Sequence, residues 1–413
     1  MRVAVVQIWH NERMGYVDRF LPAALASLGC DVHLVTSDAK PYFQHPDYAS
    51  IYAPAFGPPL AECGTVRRAD GVTVHRLPHG FFRGRLRIRG LYRKLAELRP
   101  DVVQGFEVNC LTSYEAALYR PLLGYRLFLE AHIHASVFAD ARAKLPLAKR
   151  AAWLLYRAFT GRPLSWMTQR CHPISTDAAE IATRFFGMHP DKVEVAPLGT
   201  DTTLFRPASG QAALADRAAR RAAWGVGDTD VLCVYSGRMT RDKGPEILAR
   251  AIARLRQAGR RFFGLFIGSG PRDIAGEIES TPGCVLHPFV DVDALPDLYR
   301  AADVGVWPRQ ESTSQLDAAA CGLPLILSDR VQVIERVDGC GLLYEEGDAA
   351  DLASRLLQLE DPRVRLRLGA TGRARMQQQF DWRVLARARL REYQRSLTAP
   401  RQRHPPVEPG VVA

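Results

Sequence analysis

The sequence predicts an α/β protein built from two Rossmann-like domains that face each other across a cleft. Three observations carry that prediction. A β-branched run, a helical run and a second β-branched run follow one another early in the chain. The same order restarts after a junction rich in proline, glycine and small polar residues. At 413 residues the chain is long enough for two domains of ordinary size.

The elements follow in order. Val3–Gln7 reads as a first strand, Tyr16–Leu28 as an amphipathic helix and Asp31–Thr36 as the next strand; Asp101–Gln104, Tyr114–Leu123 and Leu127–His132 repeat the pattern. In the second half Val231–Ser236, Pro245–Arg256 and Phe262–Ile267 form one such unit, and Val304–Trp307, Ser314–Cys321 and Leu325–Ser328 another. This is the signature of parallel sheets covered by helices, in which ligands sit at the carboxyl ends of the strands. The junction is placed at Ala196–Pro207, between a last N-terminal strand, Val193–Ala196, and a helix over Gln211–Trp224. Domains are therefore expected at 1–198 and 199–380. A C-terminal helix at 381–397 is expected to pack back toward the N-terminal domain. The stretch 398–413, with four prolines and little to pack, reads as a disordered tail.

Composition narrows the class. Hydrophobic residues at 47% and charged ones at 24% are those of a globular protein, and no apolar run approaches the length of a membrane span. The opening Met1-Arg-Val-Ala-Val-Val-Gln reads as a strand, not a signal peptide, so a cytoplasmic location is expected. Eight cysteines are scattered without CxxC or Cys/His spacing, as for buried free thiols in a reducing compartment. The net charge of +11 fits an anionic ligand or an anionic membrane surface, and an arginine-rich composition would produce it with no function attached. No RNA-binding or helix-turn-helix signature is present, so nucleic acid is not an expected partner.

Two segments carry chemistry. Tyr235-Ser-Gly-Arg-Met-Thr-Arg-Asp-Lys-Gly244 sets two cations, Arg238 and Lys243, in a glycine-bounded loop after a strand. Glu311-Ser-Thr-Ser-Gln-Leu-Asp-Ala-Ala-Ala-Cys-Gly-Leu-Pro324 sets Glu311 and Asp317, with hydroxyls between them, at the start of a small-residue helix. Fixed cations suit a diphosphate, and carboxylates suit sugar and ribose hydroxyls. Ser312, Thr313 and Ser314 offer an N-cap whose backbone N–H groups could hold phosphate oxygens. Together the segments describe a nucleotide-sugar pocket.

These segments resemble the retaining glycosyltransferases of family 4, which have the GT-B fold. The matching strings keep the family's order: Pro197-Leu-Gly-Thr-Asp201 with Phe205 and Pro207, Gly237-Arg238 with Lys243-Gly244, Ile267-Gly-Ser-Gly-Pro271, Ala302-Asp-Val304, and Asp317-Ala-Ala-Ala-Cys-Gly-Leu-Pro324. Arg99-Pro-Asp-Val-Val103 and the Gly15 loop extend the likeness into the looser N-terminal half. The resemblance implies that Arg238 and Lys243 take the donor diphosphate in place of a metal, so that neither metal nor cofactor is expected. It implies that Asp317 binds ribose hydroxyls and that Glu311 contacts the donor sugar hydroxyls or stabilises positive charge at the anomeric carbon. It gives His132, at the end of its strand, a place beside the reacting sugar, with His134 as a rival on the same strand face. Gly15 would lie near the phosphates. Phe289 and Val290, ending a strand, would hold the base, and Gly237, Ser312, Thr313, Ser314 and Gln315 complete the donor side. His10, Asn11 and Arg13 would line the acceptor side.

Two departures stand out. Family members carry two glutamates separated by seven residues, whereas here five residues separate Glu311 from a shortened Asp317. Met14 or Tyr16 also stands where relatives have a second glycine beside Gly15. Asp291-Val-Asp293 spells the metal-binding string of a different glycosyltransferase fold and reads here as coincidence. Two basic, aromatic-bearing stretches, 81–94 and 144–170, read either as packed helices with solvated basic faces or as contacts for an anionic membrane. The expected reaction is transfer of a sugar to a glycan or lipid-linked glycan in cell-surface polysaccharide synthesis. A nucleotide-sugar epimerase of the same fold and a non-catalytic binding protein are the alternatives.

Overall fold

The computed structural model describes residues 1–135 and 137–398. The N-terminal sheet contains β1 (Arg2–Val6), β2 (Asp31–Ser37), β3 (Gly64–Arg67), β4 (Thr73–Leu77), β7 (Val102–Gly105), β8 (Arg126–Ala131) and β9 (Arg170–Pro173). Between its strands lies a two-stranded hairpin, β5 (His79–Phe82) and β6 (Arg85–Ile88). The sheet order is β3-β4-β2-β1-β7-β8-β9, parallel throughout except for the edge strand β3. The C-terminal sheet is built from β10 (Val231–Ser236), β11 (Phe262–Ile267), β12 (Cys284–His287), β13 (Val304–Trp307), β14 (Leu325–Ser328) and β15 (Gly341–Tyr344). Its order, β12-β11-β10-β13-β14-β15, is fully parallel. Every residue of β10 and β11 is buried, as expected of central strands covered by helices on both faces.

This topology decides where a ligand can sit. In each sheet the chain winds outward in both directions from one central strand, β1 or β10. The crevice beyond such a reversal of strand order is the ligand position of open α/β sheets. The loops leaving β1, β10 and β13 carry Gly15, Arg238 with Lys243, and Glu311 respectively.

Three sequence expectations change. Val193–Ala196 is not a strand. It forms a single bridge with Cys171 and two backbone bonds along β9, Glu194 N–H to Cys171 and Ala196 N–H to Pro173, before Pro197 ends the pairing. β8 stops at Ala131, so His132 and His134 lie in the following loop and strand alternation does not orient them. β12 stops at His287, so Phe289 and Val290 also lie in a loop.

The chain crosses between domains twice. Thr200 bridges Asp381, and a Cβ on Gly199 would meet the Phe380 carbonyl oxygen at 2.7 Å, so the two crossings touch backbone to backbone. The helix Trp382–Thr398 then lies on the N-terminal domain. Its Tyr393 hydroxyl donates to Gln104 of β7 at 2.7 Å, and Glu392 meets His172 of β9 at 2.6 Å. The expected tail beyond Thr398 lies outside the described residues.

Candidate active site

The loop after β10 is shaped by its glycines. Gly244 has φ +67, and a Cβ there would meet Ile247 at 2.9 Å, so only glycine fits between Lys243 and the helix Pro245–Gln257. The Arg238 side chain is 45% exposed and faces Asp242 at 3.8 Å, which leaves its fork available to an anion. The Lys243 ammonium donates to the Glu311 carbonyl at 3.1 Å. Burial, with Arg238 beside it, brings its pKa down to about 8. The Asp242 and Glu311 carboxylates offset this lowering only in part.

The helix Thr313–Ala320 begins one residue after Ser312, which has extended N-cap geometry, but no side chain caps it. The Ser312 and Ser314 hydroxyls pair with each other at 2.6 Å instead. Ser314 is further held by the Ser236 carbonyl at 3.1 Å and by the Trp307 indole N–H at 3.1 Å. The expected serine cap is thus replaced by a hydroxyl pair, and the helix opens with N–H groups that no side chain satisfies. Gln315 is a second correction. It is fully buried, with its amide bonded to the Gln310 carbonyl at 3.2 Å and to the Arg336 guanidinium at 2.8 Å, so it faces the interior and not a ligand.

A cavity of about 260 Å³ opens here between the domains. Its polar lining includes Arg238, Ser312, Thr313, Ser314 and Asp317, with Gly237 beside them and Arg13 from the other domain. Phe289 and Val290 line it as well, opposite Gly15 from the other domain. Asp317 is deeply buried and accepts the Thr200 hydroxyl at 2.6 Å. Burial raises its carboxyl to about pH 7, and the Asp201 charge adds to that. Lys243 lies outside this lining, one residue's backbone away, on Glu311.

A neighbouring cavity of about 200 Å³ shares Ser312 and Thr313 with the first and adds Tyr16, His132, His134, Asp177, Glu311 and Arg336. Glu311 sits between the domains. It accepts the Gln332 N–H at 2.9 Å, and its other oxygen lies 3.8 Å from His134. His132 is held on both ring nitrogens, by the Tyr16 hydroxyl at 2.8 Å and the Glu130 carboxylate at 2.8 Å, and it stacks on Phe106. Tyr16, missed as a site residue, therefore stands beside His132 in the cavity lining. Burial and the carboxylates of Glu130, Asp18 and Glu107 keep its phenol protonated. The unusual Tyr16 beside Gly15 was the signal that could have found it. Arg336 gave no such signal. It is buried, and it holds the Ser312 carbonyl at 2.9 Å from behind.

The predicted acceptor-side set divides. His134 lines the second cavity, but His10 and Asn11 do not enter either. The His10 ring is fully covered and bonded to Asp18 at 2.5 Å; Asn11 accepts the Arg13 N–H at 3.1 Å as a turn residue. Arg13 pairs with Asp291 and lies 5.7 Å over the Phe289 ring, which puts it at the opposite end of the site from the histidines. Arg19 and Asp293 form a second ion pair at 2.6 Å, and the Val292 N–H donates to the Arg13 carbonyl at 3.1 Å. Asp291-Val-Asp293 is therefore a strap between the domains. A Cβ on Gly15 would come 2.5 Å from Val292, so glycine here lets the domains close.

The sequence pattern of the "Glycosyl transferases group 1" family matches residues 230–361, and that of the "Glycosyl transferase 4-like domain" matches residues 19–199. Together the two span well over half of the chain. This protein is a family 4 glycosyltransferase of the GT-B fold. Its sequence is 28% identical over 401 residues to a D-inositol 3-phosphate glycosyltransferase of Arthrobacter sp. (strain FB24), covering 91% of this chain and 88% of that one. A counterpart from Xylanimonas cellulosilytica is 31% identical, over 52% of this chain and 54% of its own. Among solved structures, a sucrose-phosphate synthase from Thermosynechococcus elongatus superposes with a TM-score of 0.70 at 20% identity, over 97% of this chain and 100% of that one. The HepE protein of Anabaena, in complex with UDP and glucose, superposes at 0.66 and 15% identity, over 96% and 100%. At such identities the superpositions speak for the glycosyltransferase fold.

Proposed function

We propose that this glycosyltransferase is a retaining, metal-independent enzyme that moves a sugar from a nucleoside diphosphate to a glycan hydroxyl, lipid-linked in the native acceptor, in cell-surface polysaccharide synthesis. One observation carries the reading: Arg238 and the uncapped N-terminus at Ser312–Ser314 line one cavity, with Lys243 against the adjoining Glu311 carbonyl. The bond from the anomeric carbon to the diphosphate breaks as the bond to the acceptor oxygen forms on the same face. The acceptor proton passes to a departing phosphate oxygen, so no separate base is required. Negative charge grows on the leaving group, where Arg238, Lys243 and the helix N–H groups stabilise it. Glu311, His134 and the Tyr16–His132 pair surround the adjoining sugar space, and closure over the donor excludes water. Asp317 would hold the ribose with the oxygen that Thr200 leaves free. With these cations in place, no metal is needed at the diphosphate, and no cofactor.

The acceptor reading draws on the N-terminal surface. The helix Leu147–Tyr156 has no buried residue, and its run continues through Met167. It exposes Leu147, Leu154, Leu155, Phe159 and Trp166 beside Lys149 and Arg150. Apolar side chains among cations suit the cytoplasmic leaflet of an anionic membrane, where a lipid-linked glycan would be met. Among the described residues no helix is long and apolar enough to cross a membrane.

A thermal-shift panel of UDP, GDP, ADP and their sugars, with and without EDTA, tests the donor site. One nucleotide is expected to raise Tm, regardless of EDTA, and to lose that effect in Arg238→Ala. No shift with any nucleotide would sink the reading.

A further inference from the structure

We propose that residues 40–60 form an aromatic lid that completes the donor site from the N-terminal domain, with Tyr42 stacking on the base of the nucleoside diphosphate. This rests on the donor reading above. The segment is a closed loop. Its neck is pinned by the Ala39–Leu60 bridge, by Lys40 N–H to the Pro59 carbonyl at 3.0 Å and by Ala61 N–H to the Asp38 carbonyl at 2.8 Å. Its interior is its own aromatic side chains, as in a compact Ω-loop. Tyr42 and Tyr52 stack with centroids 4.5 Å apart, and Tyr52 and Phe56 follow at 6.0 Å. Phe56 then meets Phe289 of the C-terminal domain edge to face at 6.4 Å.

The lining of the donor cavity divides accordingly. The polar set contains Arg238, the hydroxyls of Ser312–Ser314 and Asp317, and Arg13 stands at the other end, over the Phe289 ring. The apolar set contains Tyr42, Tyr52, Phe56, Phe289, Val290 and Leu295, drawn from both domains. A nucleoside diphosphate has the same two characters, a charged end and a flat aromatic one. A glycan hydroxyl would find few polar partners among the apolar set, whereas any base offers a π face to a ring.

Within the lid Tyr42 is singular. Tyr48, Tyr52 and Phe56 are buried, but Tyr42 is 47% exposed while lining the cavity. Its φ of +61 lies in the left-handed region, which an aromatic residue adopts at a cost. The loop thus holds a strained, half-open ring at the donor cavity, backed by a stack of rings that fixes its tilt.

The test is titration calorimetry on the full chain, with the nucleoside diphosphate chosen by the thermal-shift panel and with inorganic pyrophosphate as the base-free probe. Tyr42→Ala should weaken nucleotide binding by about tenfold or more, the scale of one lost base–aromatic stack, and leave pyrophosphate unchanged. Tyr42→Trp should restore it. Tyr42→Gly relieves the positive φ, so it should keep the fold while losing the same affinity. Unchanged nucleotide affinity in Tyr42→Gly, with wild-type binding intact, would overturn the lid alone. A raised acceptor KM at unchanged nucleotide affinity would likewise overturn it and assign the ring to the acceptor. A wild-type protein that binds pyrophosphate but no nucleotide overturns the donor reading and the lid with it.

Discussion

The two domains share an architecture and use it in opposite ways. In the C-terminal domain the four inner strands are short and fully buried, and the loops at their carboxyl ends present cations, glycine backbone and a helix N-terminus to the cleft. In the N-terminal domain the same βαβ frame carries a basic hairpin and a helix with no buried residue, and it sends an aromatic loop into the cavity beside Arg238. A diphosphate is recognised by charge and backbone, which tolerate little change in position. An acceptor is recognised by side chains on loops, which can differ from one enzyme to the next. The ion pairs Arg13–Asp291 and Arg19–Asp293 strap the two domains to each other.

Four experiments would break or sharpen that contrast. The largest effect is expected from Arg238→Ala and Lys243→Ala, each lowering kcat by about 10²-fold or more, as for loss of one preorganised charge-stabilising group. Steady-state kinetics in which both variants turn over at nearly the wild-type rate would remove the C-terminal domain from the chemistry.

Next comes the fit between domains. Gly15→Ala must displace Val292, and such overpacking costs about 1–3 kcal/mol. It should reduce turnover about tenfold. Val292→Ala should restore most of the loss, and a double mutant no better than Gly15→Ala would show that closure does not depend on this contact.

The pH dependence should be smaller and confined to one limb. Lys243 keeps its charge below a pKa of about 8 and loses it above, so kcat/KM is expected to fall as pH rises through about 8. Lys243→Arg, which stays charged, should move that limb upward. A limb unchanged in Lys243→Arg would assign it to another group.

The smallest effect concerns stability. Asp317 has a folded pKa of about 7, above its unfolded value of 3.8, so its contribution is fully present below pH 3.8 and is lost as pH rises through 7. Asp317→Asn removes the buried charge and keeps an acceptor for Thr200. At pH 8 it should raise Tm by roughly 2 °C, about 1 kcal/mol, while weakening the nucleotide more than pyrophosphate. A lowered Tm at pH 8 would mean that the carboxylate is compensated in the apo protein.

Legibility followed the same divide. β10, β11, β13 and β14 begin and end where the apolar runs do, because a strand buried on both faces has no polar positions to blur its ends. Val193–Ala196 failed as a strand because it makes only two backbone bonds to β9 before Pro197, which has no N–H, ends the pairing. Gln315 and Ser312–Ser314 were misassigned in detail because composition names a polar residue but not its partner. Gln315 is satisfied by Arg336, far along the chain, and the serines by each other.

By itself, the sequence determined the two Rossmann-like halves, the cation loop and the acidic helix start, since each follows from periodicity and short-range spacing. Only the tertiary structure decided that Tyr16 stands against His132, that His10 is closed off by Asp18, and that Arg13 lies over Phe289. It also decided that the Asp-X-Asp string is a strap between domains. The strap depends on how two separately wound sheets dock, at ion pairs whose partners are 278 and 274 residues apart; the Tyr16–His132 contact depends on which loops of one sheet meet, and His10–Asp18 on how one loop folds back on its helix.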